Sequence, residues 1–256
     1  MERLTLRTRA TIVTLLLGVA LVAWVVTVQR MRGMDAGPGT DLGTLGWYLG
    51  IWVTMMVAMM FPSAAPTVLM FARARDDSQT WAFVAGYLLA WTGYGLAAYA
   101  VYRGIRAAAP SFLTWHEQGP WIAGGALAVA GLYQLTPLKS ACLRHCRSPL
   151  HVLLRGRPGS LGALWMGVEH GGVCVGCCIG LMLALFALGV MSLVWMAIVA
   201  VAILIEKALP HGETFARVLA VVLVALGIWV AASPGSVPGL TQPGDAQMQM
   251  EMGMQP

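Results

Sequence analysis

The sequence predicts an all-α protein, a polytopic bundle of about seven helices threaded through a lipid bilayer, with its N-terminus inside and its C-terminus outside. Three observations carry that prediction. Of 256 residues, 58% are apolar and only 11% are charged, with a mean hydropathy of +0.73. A soluble domain carries about 25% charged residues, so this composition cannot solvate a globular surface. The apolar residues fall in runs that approach the ~20 residues needed to cross a hydrocarbon core. Lys and Arg are then distributed unevenly between the connections that these runs leave. A soluble enzyme, a secreted disulfide scaffold and a nucleic-acid binder are excluded at this point.

The first run, 11–28, follows a short basic start with Arg3, Arg7 and Arg9. It ends in Val-Thr-Val-Gln-Arg, which offers no small-x-small cleavage site, and it is too long for a signal-peptide core, so it reads as an uncleaved anchor. Further spans are expected at 47–71, 81–102, 121–136, 161–188, 192–208 and 215–232, the fifth and sixth joined as a tight hairpin. With residues 1–10 cytoplasmic, twelve of the sixteen Lys and Arg side chains fall inside and four (Arg30, Arg32, Arg103 and Arg106) outside. That bias satisfies the positive-inside rule, and the net charge of +5 reads as topology and not as a nucleic-acid partner. Trp47, Trp81, Trp121, Trp165 and Trp195 lie near span ends, where amphipathic rings prefer the headgroup level. The membrane domain is therefore expected over 11–232. Beyond it, 233–256 turns to Ser, Pro and Gly and then to polar residues, and reads as a disordered extracytoplasmic tail.

Chemistry concentrates in the fifth span. Met166, His170, Cys174, Cys178 and Met182 recur every four residues, a spacing that overshoots a full turn by about 40°, so neighbours share a slowly drifting face. Cys177 joins the same side. Thiolate, imidazole and thioether together select a soft metal; Cu(I) is favoured, with Zn(II) the alternative. Glycines 167, 171, 172, 176 and 180 permit close helix approach. The same residues also fit plain packing of a membrane helix interface. Glu169 beside His170 adds an ionisable group inside the bilayer, where such groups are expensive and suggest function.

The second span carries Met55, Met56, Met59 and Met60 at a depth matching the cysteines, either as thioether ligands or as flexible apolar filler. Pro62 and Pro66 remove backbone donors and should bend or open this helix, freeing carbonyls toward a cavity. After the fourth span, Cys142, His145 and Cys146, set among Lys139, Arg144 and Arg147, suit a metal exit or docking site, or a basic surface loop with incidental cysteines. Met248, Met250, Met252 and Met254 alternate in the tail, and suit capture of a soft metal outside or a merely biased sequence. Glu206 and Lys207 close the sixth span as an ion pair or a snorkelling end. His116 and Glu117 are too isolated to interpret. No Ser-His-Asp arrangement is present, so no catalytic residue is assigned, and five cysteines do not form a disulfide framework.

The stretches Trp52 to Pro62, Tyr133 to Leu143, Cys174 to Met182 and Met191 to Met196, with Glu206 and Lys207, resemble a family of uncharacterised bacterial proteins. The family carries a domain of unknown function and is described as predicted metal-binding integral membrane proteins. The resemblance covers about residues 45–210. It implies a metal-binding protein of the bacterial inner membrane. In one departure Ile179 follows the double cysteine where the family usually has Trp.

The leading expectation is a membrane protein that binds Cu(I) for transport or delivery across the inner membrane. Met248 to Met254 would collect the ion, the second and fifth spans would hold it, and the Cys142–Cys146 loop would release it. A metallochaperone or a membrane complex is the expected protein partner. Two alternatives remain: a quinone-linked thiol-disulfide oxidoreductase built on Cys174, Cys177 and Cys178, and a non-catalytic subunit of a membrane complex.

Overall fold

The structure is a computed structural model that describes residues 2–31, 41–108, 118–148, 156–190 and 192–237, with side chains from residue 11 onward. Among the described residues every regular element is helical: α1 (Glu2–Met31), α2 (Leu45–Ala74), α3 (Asp77–Ala108), α4 (Gly119–Gln134), α5 (Pro137–Arg147), α6 (Gly159–Leu188), α7 (Leu193–Ala208), α8 (Gly212–Ala232) and a single 3-10 turn at Pro234–Ser236. Five of them (α1 from Thr11, α2, α3, α6 and α8) are long and apolar enough to cross a membrane, and α4 with α5 makes a sixth if the bent pair is one span. At 16 residues α7 is about 24 Å long, short of a hydrocarbon core of about 30 Å. The outward faces are apolar: Leu161, Val221 and Trp121 are 80%, 69% and 68% exposed. Such faces suit lipid and not water.

Glycine sets the two closest helix pairs. On α3 and α6, Gly167 lies against the Phe83 carbonyl, Gly86 against that of Leu164, and Gly171 against Tyr87 and Ala90, leaving no room for a Cβ. Contacts that advance together along both chains mean that α3 and α6 run parallel. On α4 and α8, Gly124 meets Gly227 and Gly131 meets Ala220, which is the antiparallel order. Small residues that let backbones touch are how membrane helices gain packing without a hydrophobic driving force.

The connection after α4 was expected as a loop, but it forms α5, inclined by 64° to α4. Pro137 has no N–H to continue α4, and it pushes Thr136 into extended backbone (φ −72°, ψ 147°). Thr136 then caps the new helix, its hydroxyl accepting the Lys139 N–H at 3.2 Å. Lys139, Leu143 and Cys146 form the buried stripe of α5, and α5 packs across α6.

In α2 a proline frees a carbonyl without interrupting the helix. The helix continues through Pro62 and Pro66 without a break, and Pro66 is exposed. Pro62 deprives the Ala58 carbonyl of its helical donor, and that carbonyl instead accepts Trp24 Nε1 of α1 at 3.1 Å. The carbonyl that the proline frees therefore fastens α1 to α2. Between α2 and α3, Asp76 accepts the Gln79 N–H at 2.8 Å and the Ser78 hydroxyl at 2.9 Å, bonds that hold its carboxyl below the usual range.

The buried apolar residues form two clusters. One unites Phe61, Phe71, Phe83 and Met166 with Ile12 and Leu16, with Phe71 and Phe83 stacked at 4.6 Å. The other holds Met55, Met56, Met59 and Met60 of α2 together with Cys146, Cys174, Cys177 and Cys178.

Candidate metal centre

Cys174, Cys177 and Cys178 project from the middle of α6, and α5 lies across them. The Sγ atoms of Cys146, Cys174 and Cys177 all lie within 4.8 Å of one another, and all three residues are buried. Sulfurs bound at ~2.3 Å around one ion in a triangle sit about 4 Å apart, so the arrangement fits a three-sulfur metal site after a small tightening. Cys178 Sγ stands 3.5 Å from Cys177 Sγ, beside the triad and not within it. The Cys177 thiol donates to the Cys174 carbonyl at 3.1 Å, a bond available because the two are three residues apart on one helix.

Two polar groups meet the Cys174 sulfur from other helices. Tyr87 Oη of α3 and Lys207 Nζ of α7 each lie 3.0 Å away, and Lys207 Nζ also reaches Ser63 Oγ of α2 at 3.3 Å. Lys207 is the penultimate residue of α7 and Cys146 the penultimate residue of α5. Lys207 and Cys146 thus bring side chains from near the ends of two short helices to the middle of α6.

Of the two readings of Glu206 and Lys207, an ion pair between them or a snorkelling end, the ion pair is not formed: Glu206 pairs with Lys139. Neighbours on a helix point about 100° apart, and here they serve different helices. Glu206 Oε2 binds Lys139 Nζ at 2.6 Å, with both side chains almost wholly buried (2% and 1% exposed), and Glu206 Oε1 accepts Gln134 Nε2 at 3.2 Å. Lys139 Nζ also donates to the Cys177 carbonyl. Gln134 of α4, Lys139 of α5 and Glu206 of α7 are in this way tied to the backbone of α6 at the cysteine cluster.

The other expected ligands separate into groups. His170 is buried one turn before Cys174, with its ring 5.8 Å from Phe83 and 5.9 Å from Tyr87, and it is not part of the triad. Glu169 does not share that buried site: it pairs with Arg157 at 3.0 Å and is part-exposed. Met55, Met56, Met59, Met60 and Met182 are buried in the same cluster as the four cysteines, and α2 meets α6 directly where Trp52 stacks on Phe186 at 5.8 Å.

The secondary site expected at Cys142, His145 and Cys146 is divided. Cys146 joins the main cluster, Cys142 is half-buried with its sulfur against Gly176, and His145 is exposed with Nδ1 on the Ala141 carbonyl at 2.9 Å. The methionines at 248, 250, 252 and 254 lie outside the described residues, as do His116 and Glu117. Tyr87 was not anticipated, nor was Lys207 as a sulfur partner. The i, i+4, i+7 stripe of Lys139, Leu143 and Cys146 after a Thr-Pro start was the available signal for α5.

A family model described as a copper chaperone, PpoB2, matches residues 49–230, from the first turn of α2 almost to the end of α8. Comparison with curated proteins and with solved structures gives no match.

Proposed function

The chain belongs to the copper chaperone family, and from that premise we propose that it is a multi-pass protein of the bacterial inner membrane that binds Cu(I) at Cys146, Cys174 and Cys177 for transport or delivery. The observation that carries this reading is the meeting of three buried sulfurs from two helices within 4.8 Å, inside the stretch the family model covers. Thiolates select soft ions. Structural zinc sites are almost always four-coordinate, and a triad with Cys178 standing beside it suits Cu(I) better. The fit of the sulfurs supports copper as cargo, held by residues that release their thiol protons on binding.

Movement of the ion would be by ligand exchange. Cys178 is the next sulfur after Cys177, and the thioethers of Met55, Met56, Met59, Met60 and Met182 line the same core. Met248 to Met254 would gather copper outside, and a metallochaperone would meet the basic end inside. Burial of Cys174, Cys177 and Cys178 leaves no thiol there for a protein substrate to reach, which favours metal handling over thiol exchange.

The arrangement proposed in the bilayer is seven crossings with the N-terminus cytoplasmic and 233–256 outside, α4 with α5 forming one bent crossing and α7 a short one. The excess of twelve basic residues over four supports it. The parallel run of α3 and α6 and the antiparallel run of α4 and α8 agree with the alternation it requires.

Metal analysis of the detergent-purified protein after anaerobic Cu(I) loading tests the reading. Near-stoichiometric copper is expected, lost when Cys174→Ser and Cys177→Ser are combined. Equal copper in the wild type and the variant would refute the site, and stoichiometric zinc that Cu(I) does not displace would refute the choice of metal.

A further inference from the structure

Lys207 stands closer to the sulfur triad than its place in the sequence suggests. Its ammonium is 3.0 Å from Cys174 Sγ and is steadied by Ser63 Oγ at 3.3 Å, while the neighbouring carboxylate, Glu206, is already engaged by Lys139 and Gln134. A positive charge is thus built into the wall of a cation-binding site. Binding alone does not require it, because a cation beside a metal site opposes the metal.

We propose that Lys207 is a specificity-determining residue that makes the centre prefer a monovalent soft cation over a divalent one; the inference rests on the reading of the sulfur triad as a metal site. The repulsion between the ammonium and a bound ion grows in proportion to the ion's charge, so a divalent ion meets twice the penalty of a monovalent ion at the same position. The site is buried, so the difference is not screened as it would be at a surface. Sulfur ligands alone take both Cu(I) and Zn(II); the ammonium shifts the balance toward Cu(I). Lys139 does not provide the same effect, because Glu206 neutralises it at 2.6 Å.

The test uses the full chain in detergent and measures the ratio of Cu(I) to Zn(II) affinity by competition against chromophoric chelators under anaerobic conditions. The probes are the two metal ions themselves. Taking the ratio cancels the proton competition that both metals share. Lys207→Met and Lys207→Gln are two neutral replacements, so that a folding failure in one leaves the other, and Lys207→Arg keeps the charge. The expected result is a ratio shifted toward Zn(II) by about tenfold or more in both neutral variants and little changed in the Arg variant. A ratio that stays within about twofold in the neutral variants, while both metals still bind, overturns the role of Lys207 and leaves the metal site standing. Failure of the wild-type protein to bind either metal overturns the site itself, and the Lys207 inference with it.

Discussion

At Cys174 a phenol and an ammonium from two different helices converge on one sulfur, each at 3.0 Å, while Cys146 reaches the same site from α5. This geometry separates two cysteines that look equivalent in the sequence. Cys146→Ser is expected to abolish high-affinity copper binding, whereas Cys142→Ser and His145→Ala retain it, as read by chelator competition; equal losses in all three would contradict the assignment. The Lys139–Glu206 pair makes a second prediction at this scale. Removing one partner strands a buried charge, so Lys139→Met alone or Glu206→Leu alone should cost about 3–5 kcal/mol, while the double replacement should be far milder. Thermal unfolding in detergent checks the pattern, and additive single effects would argue against a coupled pair.

At the scale of elements, packing is controlled by positions that have no side chain. Gly167 touches the Phe83 carbonyl, so Gly167→Val must push α3 from α6 and disturb the Tyr87 contact to Cys174. A lowered unfolding temperature and weakened copper binding are expected together, and a variant as stable as the wild type would show that the pair is not tight. Trp24→Phe keeps the ring but strands the Ala58 carbonyl, at a cost of about 1–3 kcal/mol in the same melting experiment.

These elements also show what could be read in advance. The face shared by Cys174 and Cys178 was legible because a period of four is a helical period, and the Met55 to Met60 run was legible as buried. Cys146 was not. It enters the site only because Thr136 and Pro137 end one helix and start another at 64°, and that angle is a three-dimensional outcome. Glu206 and Lys207, like Glu169 and His170, are adjacent in the sequence but meet different partners, since successive residues on a helix point to different neighbours.

For the whole molecule, the proposed seven crossings make residues 1–10 cytoplasmic and 233–256 extracytoplasmic. Single cysteines placed at each terminus of a chain whose five native cysteines are replaced should react with an impermeant maleimide in intact spheroplasts only at the C-terminus. Labelling of both termini, or of the N-terminus alone, would remove that topology. Such an orientation puts the tail methionines on one side and the basic connections on the other, with the triad at the middle of α6 between them. That polarity suits one-way hand-over of a soft ion.

X-ray absorption at the copper edge of the anaerobically Cu(I)-loaded protein reads the ligand shell itself. A first shell of sulfur alone is expected, three atoms at about 2.3 Å, which falls to two sulfurs or loses its copper in Cys146→Ser. A shell of nitrogen or oxygen, or a sulfur shell that Cys146→Ser leaves untouched, would contradict a centre built jointly by α5 and α6.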